Sequence, residues 1–451
     1  MPVSPARRLA YRVLRRVESG TDFAAELLRA APEPLSDADR HLATGIVLGV
    51  LRRRAQLDDA VARLSGRSPG YFDPEITAIL RIAAYQICFL ERIPKSAVVN
   101  EAVEMTKLAR RRSAAGLVNA VLRKCEPSTV ASDTDQRTAC LALPAWLLER
   151  WETRFGGYAA LALARRTLET PSPVIRVVEG DISGIREELA SAGIKTRSAN
   201  YARNALVVES GNITKSEAWL TGRVVIQEEA SQLVGSLLKP QRDQCVLDLC
   251  AAPGMKSAQI AAELQEGAMT LCDRSGRRLR SMQIARLMPA AVRWSAVQLD
   301  ATSPLPFSIR FARILLDAPC SGTGTLGRNP EIKWRLTPDD ITRLAMAQVR
   351  MLRGALEALA PQGRLVYATC SLEPEENEQV VETVLKSRAA TAPDQREFTM
   401  LPRSRSAEDW PHLASLFDER GYFRTRPDRD DTDGFFAAVI ERTALSPTLG
   451  H

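Results

Sequence analysis

Hydrophobic positions near the amino end of the chain recur with a helical period. Leu9, Val13 and Val17 share one face, and Ile76, Ile79, Leu80, Ala83 and Ile87 share another. Two further apolar faces come after them, one from Val98, Val99, Ala102 and Val103, the next from Leu117, Val118, Val121 and Leu122. Spacings of three and four put these residues on one stripe per helix. Pro32, Pro34, Ser68-Pro69-Gly70 and Pro94 punctuate the runs. The pattern predicts an all-α bundle over residues 1–130. Periodicity then fades between 126 and 143 (EPSTVASDTDQRTACLAL), where Ser, Thr and Asp accumulate and a linker is expected. Over 144–222, helical stretches (AWLLERW, YAALALARRTL, GIREELASAG) alternate with short β-like runs (PVIRVVE, ALVVES), which fits a small α+β domain.

A third pattern occupies residues 223–445. VLDLC, AMTLCD, AVQLD, ARILLDAPC and RLVYATC are short continuous apolar runs separated by helical segments. Such runs suit strands of a parallel sheet covered on both faces, so a doubly wound α/β domain is predicted. GFFAAVIER, at 434–442, reads as an antiparallel closing strand. In such folds ligands bind outside the carboxyl ends of the strands. There is no internal repeat.

Composition narrows the options. The chain has 451 residues, enough for two or three domains, and its 45% hydrophobic and 25% charged content is that of an ordinary globular protein. No run of about 18 apolar residues offers a membrane span. Only three histidines occur (His41, His412 and His451), which makes a His-rich metal site or a Ser–His–Asp hydrolase a poor fit. No metal is expected. The eight cysteines form no C-x-x-C pair, and reduced thiols in a cytoplasmic protein fit better than a disulfide framework. The Arg-rich start raises a transit peptide, but its periodicity continues through Glu18 and Asp22 as a first folded helix would. No heptads suggest a dimer, so a monomer is expected. The net charge of +7 is concentrated: residues 1–130 hold 21 Lys/Arg against 14 Asp/Glu, and the rest of the chain balances. Clusters at Arg7, Arg8, Arg12, Arg15 and Arg16, at Arg52, Arg53 and Arg54, and at Arg110, Arg111 and Arg112 suggest basic outer faces and a polyanionic partner. A solvated basic face would produce the same count.

Candidate chemistry falls at the strand ends. Asp248-Leu249-Cys250-Ala251-Ala252-Pro253-Gly254-Met255-Lys256 is a strand, a small-residue turn and a helix start, which lets backbone amides approach a ligand. It is neither G-x-G-x-x-G nor a Walker A loop, so no dinucleotide or ATP phosphate is implied. An ordinary strand-to-helix connection would look similar. Asp273, Asp300 and Asp317 close successive strands; an acid after the second strand is where ribose hydroxyls are accepted. Any one of them alone could be a helix N-cap. Cys320 (DAPCSGTG) and Cys370 (YATCSLEPEEN) lie between turn-forming residues at the ligand edge rather than on apolar faces. A thiolate there is a potential nucleophile.

DLCAAPGMK, DAPCSGTGTLGRNPEIKW and YATCSLEPEENEQVV resemble the motifs of the RsmB/Sun (Fmu) family of RNA cytosine-5 methyltransferases. IQEEASQLV (226–234) and DGFFAAVIER (433–442) extend the similarity, and residues 1–130 resemble that family's NusB-like RNA-binding domain. Departures are Met255, where the family usually has Gly, and Val177 after Arg176, where it often has Asn. The resemblance implies a multidomain chain: a NusB-like all-α bundle (1–130), a small α+β RNA-binding subdomain (144–222) and a Rossmann-like class I methyltransferase domain (223–445). It implies S-adenosylmethionine held by Cys250, Ala251, Ala252, Pro253, Gly254, Met255, Lys256, Asp273, Asp300 and Asp317. It implies Cys370 as nucleophile, Cys320 as the second cysteine aiding product release, and 16S ribosomal RNA as the partner.

The residues agree with that chemistry. Carbon 5 of cytosine is a poor nucleophile until a thiolate adds at carbon 6, and Asp317 can polarise the base. The residues alone could assign the two thiols either way. A catalytically silent RNA-binding or antitermination factor would also use the basic bundle, although it would be free to lose Cys320, Cys370, Lys256 and the aspartates. Substrates other than rRNA are tRNA or DNA. A nucleophile in Thr369-Cys370 disfavours DNA, whose cytosine methyltransferases place it in Pro-Cys. Only the NusB-like domain speaks for rRNA over tRNA, by analogy.

Overall fold

The computed structural model describes residues 3–20, 22–31, 35–130, 139–391 and 397–443. Pro32, Pro34, the middle of the 126–143 linker and the last residues of the 223–445 stretch lie outside these. The chain divides into two compact units, residues 1–171 with 326–335, and residues 172–325 with 336–451.

The first unit is helical as its periodicity predicts. α1 (Pro5–Ser19), α2 (Ala24–Arg29), α3 (Asp37–Arg52), α4 (Arg54–Ser65), α5 (Pro74–Phe89), α6 (Lys95–Leu108) and α7 (Ala115–Lys124) share one core. Pro5 and Pro74 open their helices where a missing N–H costs nothing. Ser36 caps α3 by accepting the Asp39 amide at 3.1 Å. α5 is the centre: Ile76, Ile79, Leu80, Ile82, Ala83 and Ile87 are all buried. α3 approaches it through Gly49, where a Cβ would fall 1.9 Å from the Tyr85 ring. Glycine there sets the helix spacing.

The basic outer faces need correction at two positions. Arg7 is buried, donating to Gln86 Oε1 and Glu101 Oε1 at 2.7 Å each. Arg52 is buried and donates to the carbonyl of Gly327 at 3.1 Å. Both side chains have partners far away in sequence, which periodicity cannot signal. Arg8, Arg12, Arg16, Arg110, Arg111 and Arg112 are exposed. The helices Ala145–Phe155 and Gly157–Arg166, grouped by sequence with the α+β stretch, lie in this unit.

The segment 326–335 also belongs here. Its Lys333 is fully buried and donates to the carbonyls of Arg52 (2.9 Å) and Ala142 (2.7 Å). Burial pushes its pKa well below the lysine range, with Arg52 and Arg53 adding to the shift. Trp334 donates its indole N–H to the carbonyl of Leu51 at 2.6 Å. Together they close the carboxyl end of α3, whose last carbonyls have no partner within the helix.

In the second unit, β1 (Val174–Val177), β2 (Lys195–Ser198), β3 (Ala205–Ser210) and β4 (Val224–Ile226) form an antiparallel sheet of order β2-β3-β1-β4. The helix Ile182–Ser191 covers it through Ile185 and Leu189. Val225 of β4 packs with Ala230, Leu233 and Ala258, so this sheet shares a core with the larger sheet of the same unit. Arg176 is buried within it, donating to Gln227 at 2.7 Å, and burial lowers its pKa to about 10.

The large sheet contains β5 (Gln244–Asp248), β6 (Gly267–Asp273), β7 (Val292–Gln298), β8 (Phe311–Asp317), β9 (Leu359–Thr369), β10 (Phe398–Met400), β11 (Phe423–Arg424) and β12 (Phe436–Arg442). Its order is β10-β12-β9-β8-β5-β6-β7, with β11 also on β12. The run β9-β8-β5-β6-β7 is parallel, and β12 is antiparallel to β9, as expected. Pro338–Ala358 crosses from β8 to β9, and Met255–Leu264 from β5 to β6. The connections after β6 and β7 are thinner than the sequence suggests. Only Gly276–Arg280 and a short 3-10 turn come after β6, and no helix separates β7 from β8. β7 is accordingly exposed along most of its length.

Lys333→Met keeps the volume of the side chain and removes the donor. Leaving the carbonyls of Arg52 and Ala142 buried without it should cost about 1–3 kcal/mol. A urea midpoint equal to that of the parent protein would refute this role.

Candidate active site

The carboxyl ends of β5, β6, β8 and β9 bring the chemistry-bearing residues together. After β5 the chain turns tightly, held by the Ala251 amide donating to the carbonyl of Cys272 on β6 at 2.7 Å. Gly254 sits at φ 98°, and a Cβ there would lie 2.8 Å from Ile284, so the turn requires glycine. The helix begins at Met255, and its first turn aims Lys256 at Asp317, Nζ to Oδ2 at 2.8 Å. Burial alone would lower the Lys256 pKa, but the Asp317 carboxylate overrides it and the net shift is upward. The ammonium also faces the Phe435 ring at 5.2 Å and interacts electrostatically with Cys370.

Asp273, at the end of β6, is 5% exposed. Its Oδ1 accepts the Ser275 amide at 2.8 Å, and Arg278 approaches Oδ2 at 3.3 Å. Arg278 donates as well to the carbonyl of Ala252 at 2.5 Å, joining the β6 carboxylate to the turn. Cys250 lies among Asp248, Asp317 and Asp273; burial first, then these carboxylates, push its thiol well above the ordinary range. Asp300 stands differently. It is exposed two residues beyond β7, and its Oδ1 accepts the Thr302 amide (2.9 Å) and hydroxyl (2.7 Å), which lower its pKa.

Cys320 and Cys370, both half-buried, meet with their sulfurs 3.4 Å apart. Their loops are bound to each other: the Gly324 amide donates to the carbonyl of Cys370 at 2.9 Å, and the Leu372 amide to Thr323 Oγ1 at 2.8 Å. A third loop packs against them, where a Cβ on Gly324 would come within 2.0 Å of the Gly434 carbonyl oxygen. The Cys320 thiol is pushed well above its ordinary range, chiefly by its hydrogen bond with Cys370 and then by burial.

Two polar residues of this constellation are not singled out by the sequence reading. Asp248 is 1% exposed and accepts the Ser257 hydroxyl at 2.7 Å. A signal for it exists, since it ends a strand as Asp273 and Asp317 do. Arg278 lies in the basic run RSGRRLR directly after Asp273, but nothing in that run distinguishes it from its neighbours.

Burial raises the Asp248 pKa to about 7, against the opposing Ser257 hydrogen bond. In the folded protein it therefore holds a proton that the unfolded chain releases near pH 4. Its contribution to stability is fully present below that pH and is lost as pH rises toward 7. Asp248→Asn removes this term and can still accept from Ser257. The variant should gain stability relative to the parent between pH 5 and pH 8, read by chemical denaturation at both. A difference that does not change with pH would exclude the titration.

Residues 235–441 match the family model described as 16S rRNA methyltransferase RsmB/F, and residues 4–127 match the NusB family. Ribosomal RNA small subunit methyltransferase B of Thermus thermophilus is 32% identical over 453 residues, covering 98% of this chain and 99% of its own. The protein of that name in Pseudomonas putida is 30% identical over 463 residues, with the same two coverages. The crystal structure of PH0851 has the same fold, with a TM-score of 0.78 at 24% identity over 98% of this chain and 100% of its own. A methyltransferase homolog from Pyrococcus horikoshii aligns with 66% of this chain and all of its own, at 28% identity and a TM-score of 0.53. With the relatives matched end to end, the chain belongs to the 16S rRNA methyltransferase RsmB/F family and carries a NusB-family domain ahead of a Rossmann-like methyltransferase fold.

Proposed function

We propose that the chain transfers a methyl group from S-adenosylmethionine to carbon 5 of a cytosine in 16S ribosomal RNA, through a covalent bond between Cys370 and carbon 6 of the base. The observation that carries this reading is the pair of thiols 3.4 Å apart at the strand ends, beside the Lys256–Asp317 ion pair. Simple methyl transfer to an oxygen or nitrogen needs no such pair.

The residues around the β5 turn suit the cofactor. Asp273 has one carboxylate oxygen on the Ser275 amide and the other near Arg278, and each retains a lone pair for a ribose hydroxyl. Ala251, Ala252 and Gly254 keep the turn narrow enough for its backbone, with Cys250, Pro253 and Met255, to line the same ligand. Asp300 has an oxygen left over for an amino group. When bound, S-adenosylmethionine supplies a methyl group on a positively charged sulfur.

The chain's own side chains divide the remaining work. In this reading Cys370 acts as a thiolate, and the Lys256 ammonium interacts electrostatically with it. That thiolate adds to carbon 6 of an unstacked cytosine, making carbon 5 electron-rich. Asp317, held by Lys256, hydrogen-bonds the ring and polarises it. Methylation of a C–H carbon by a sulfonium releases one proton overall. Once the Cys370 sulfur is bonded to carbon, Cys320 no longer faces a thiolate and can lose its own proton to solvent. It then takes the proton from carbon 5, the Cys370–carbon 6 bond breaks, and Cys370 leaves as thiolate. Residues 1–130 contribute phosphate contacts through the exposed Arg8, Arg12, Arg16, Arg110, Arg111 and Arg112.

Two experiments test this. Asp273→Ala should weaken cofactor binding by about 1.5–3 kcal/mol for each charge-assisted bond lost; equal affinity by calorimetry would remove the residue from the site. Cys370→Ala should abolish methyl transfer and form no adduct. Cys320→Ala should accumulate a protein–RNA species that survives denaturing electrophoresis. An adduct trapped by the Cys370 variant instead would reverse the two roles.

A further inference from the structure

We propose that Glu376 is the positioning residue of this site, its buried carboxylate fixing where Cys320 stands relative to a base bonded to Cys370. This rests on the two-thiol reading above. Glu376 is 0% exposed and lies six residues after Cys370. Its Oε1 accepts the Ser321 amide at 2.8 Å and Gln348 Nε2 at 3.1 Å. Its Oε2 accepts the hydroxyls of Ser321 and of Ser371, the latter at 2.5 Å. Ser321 comes directly after Cys320, and Ser371 directly after Cys370. Gln348 also donates to the carbonyl of Pro319, at 2.9 Å, so the residue preceding Cys320 is tied in as well. One carboxylate thus reaches both flanks of one thiol and one flank of the other.

The carboxylate is itself anchored. Tyr367, within β9, donates its hydroxyl to the Glu376 carbonyl at 2.5 Å. The next residue, Asn377, accepts the Thr369 hydroxyl at 2.5 Å and donates to the Ser371 carbonyl at 2.8 Å. Asn377 therefore secures the two residues around Cys370, while Glu376 extends the same support to the Cys320 loop. Four donors face the Glu376 oxygens, and no water-exposed surface remains on the residue. A group so enclosed cannot itself exchange a proton with a base held by the thiols; what it does for the reaction is hold the two loops in place.

Geometry and charge can be separated by substitution. A glutamine keeps the length: its carbonyl can accept from Ser321 N–H and Gln348, and its NH2 can donate to the two serine hydroxyls, which rotate to accept. An aspartate keeps the charge but is one methylene short, so it must draw the Cys320 loop away or lose contacts. Displacement of a reacting group by about 1 Å can lower rate by about 10²-fold. Glu376→Ala should therefore lower kcat by about that factor while the RNA KM and cofactor affinity hold, and the RNA adduct should build up with both cysteines native. Glu376→Asp should show the same signature more weakly, and Glu376→Gln should recover turnover to within several-fold. If the alanine variant does not fold, the Asp and Gln pair carries the same comparison.

The proposal is overturned if Gln is more impaired than Asp, since charge would then matter more than reach. It is overturned equally if the Ala and Asp variants lose turnover without accumulating adduct. Cys320→Ala, run alongside, separates the two levels. If it traps adduct and the Glu376 variants do not, only the positioning role fails. If it traps none, the two-thiol reading fails and this proposal falls with it.

Discussion

An ammonium and a carboxylate, both largely withdrawn from water, face each other at 2.8 Å across the ends of two parallel strands. Lys256 comes from the helix after β5 and Asp317 from the last position of β8, so they meet only because β5 and β8 pair in one register, Asp248 beside Leu315. Extending that register to β9 sets Asp317 beside Ala368. Cys320, three residues past the first, and Cys370, two past the second, are then brought within sulfur contact. Removing either charge would leave the other in a site only partly open to water, a loss between the ~0–1 kcal/mol of a surface pair and the ~3–5 kcal/mol of a fully buried one. The pair also attracts the third loop, since Phe435 covers the Lys256 ammonium. Turn, acid, thiols and aromatic wall all depend on the alignment that this pair marks.

That arrangement explains which residues can be read from sequence. Residues placed by the end of a strand are legible, because an apolar run leading into Asp or Cys and small residues is a local pattern. Asp273, Asp317, Cys320, Cys370 and the 250–256 turn are visible in this way, as are the parallel strands and the antiparallel closing strand. Residues placed by distant partners are not. Arg7 reads as part of a basic face, yet Gln86 and Glu101 draw it inward from 79 and 94 positions away. Arg52 turns toward Gly327, 275 positions away. The segment 326–335 reads as a continuation of the Cys320 motif, but it is packed with the helical unit through Lys333 and Trp334.

The same division runs through the site itself. Its chemistry stands on local signals, and its supports stand on tertiary ones. Gly324 resembles any loop glycine until the Gly434 carbonyl is found where its Cβ would be. Glu376 sits in an acidic stretch, Glu373 to Glu378, whose residues look interchangeable, and only the surrounding donors single it out. A buried carboxylate is tolerated only when it is hydrogen-bonded, and here the bonding groups are those that flank the cysteines. The desolvation that would otherwise expel the charge is thereby converted into a constraint on two loops.

Two chemically identical thiols can divide a reaction only if their surroundings differ, and here they do. The Lys256 ammonium interacts electrostatically with Cys370. The Cys320 pKa is raised first by its hydrogen bond with Cys370 and then by burial, with the charges of Glu376 and Asp317 adding less. A nucleophile must be the anion before the base arrives, whereas a group that takes the carbon 5 proton needs a strong basicity only afterwards. In the proposed mechanism, bonding of Cys370 to the base would remove the hydrogen bond that most raises the Cys320 pKa, so the first step would prepare the second. The motif order in the sequence cannot rank the two thiols; the proposed division of labour rests on their unlike surroundings.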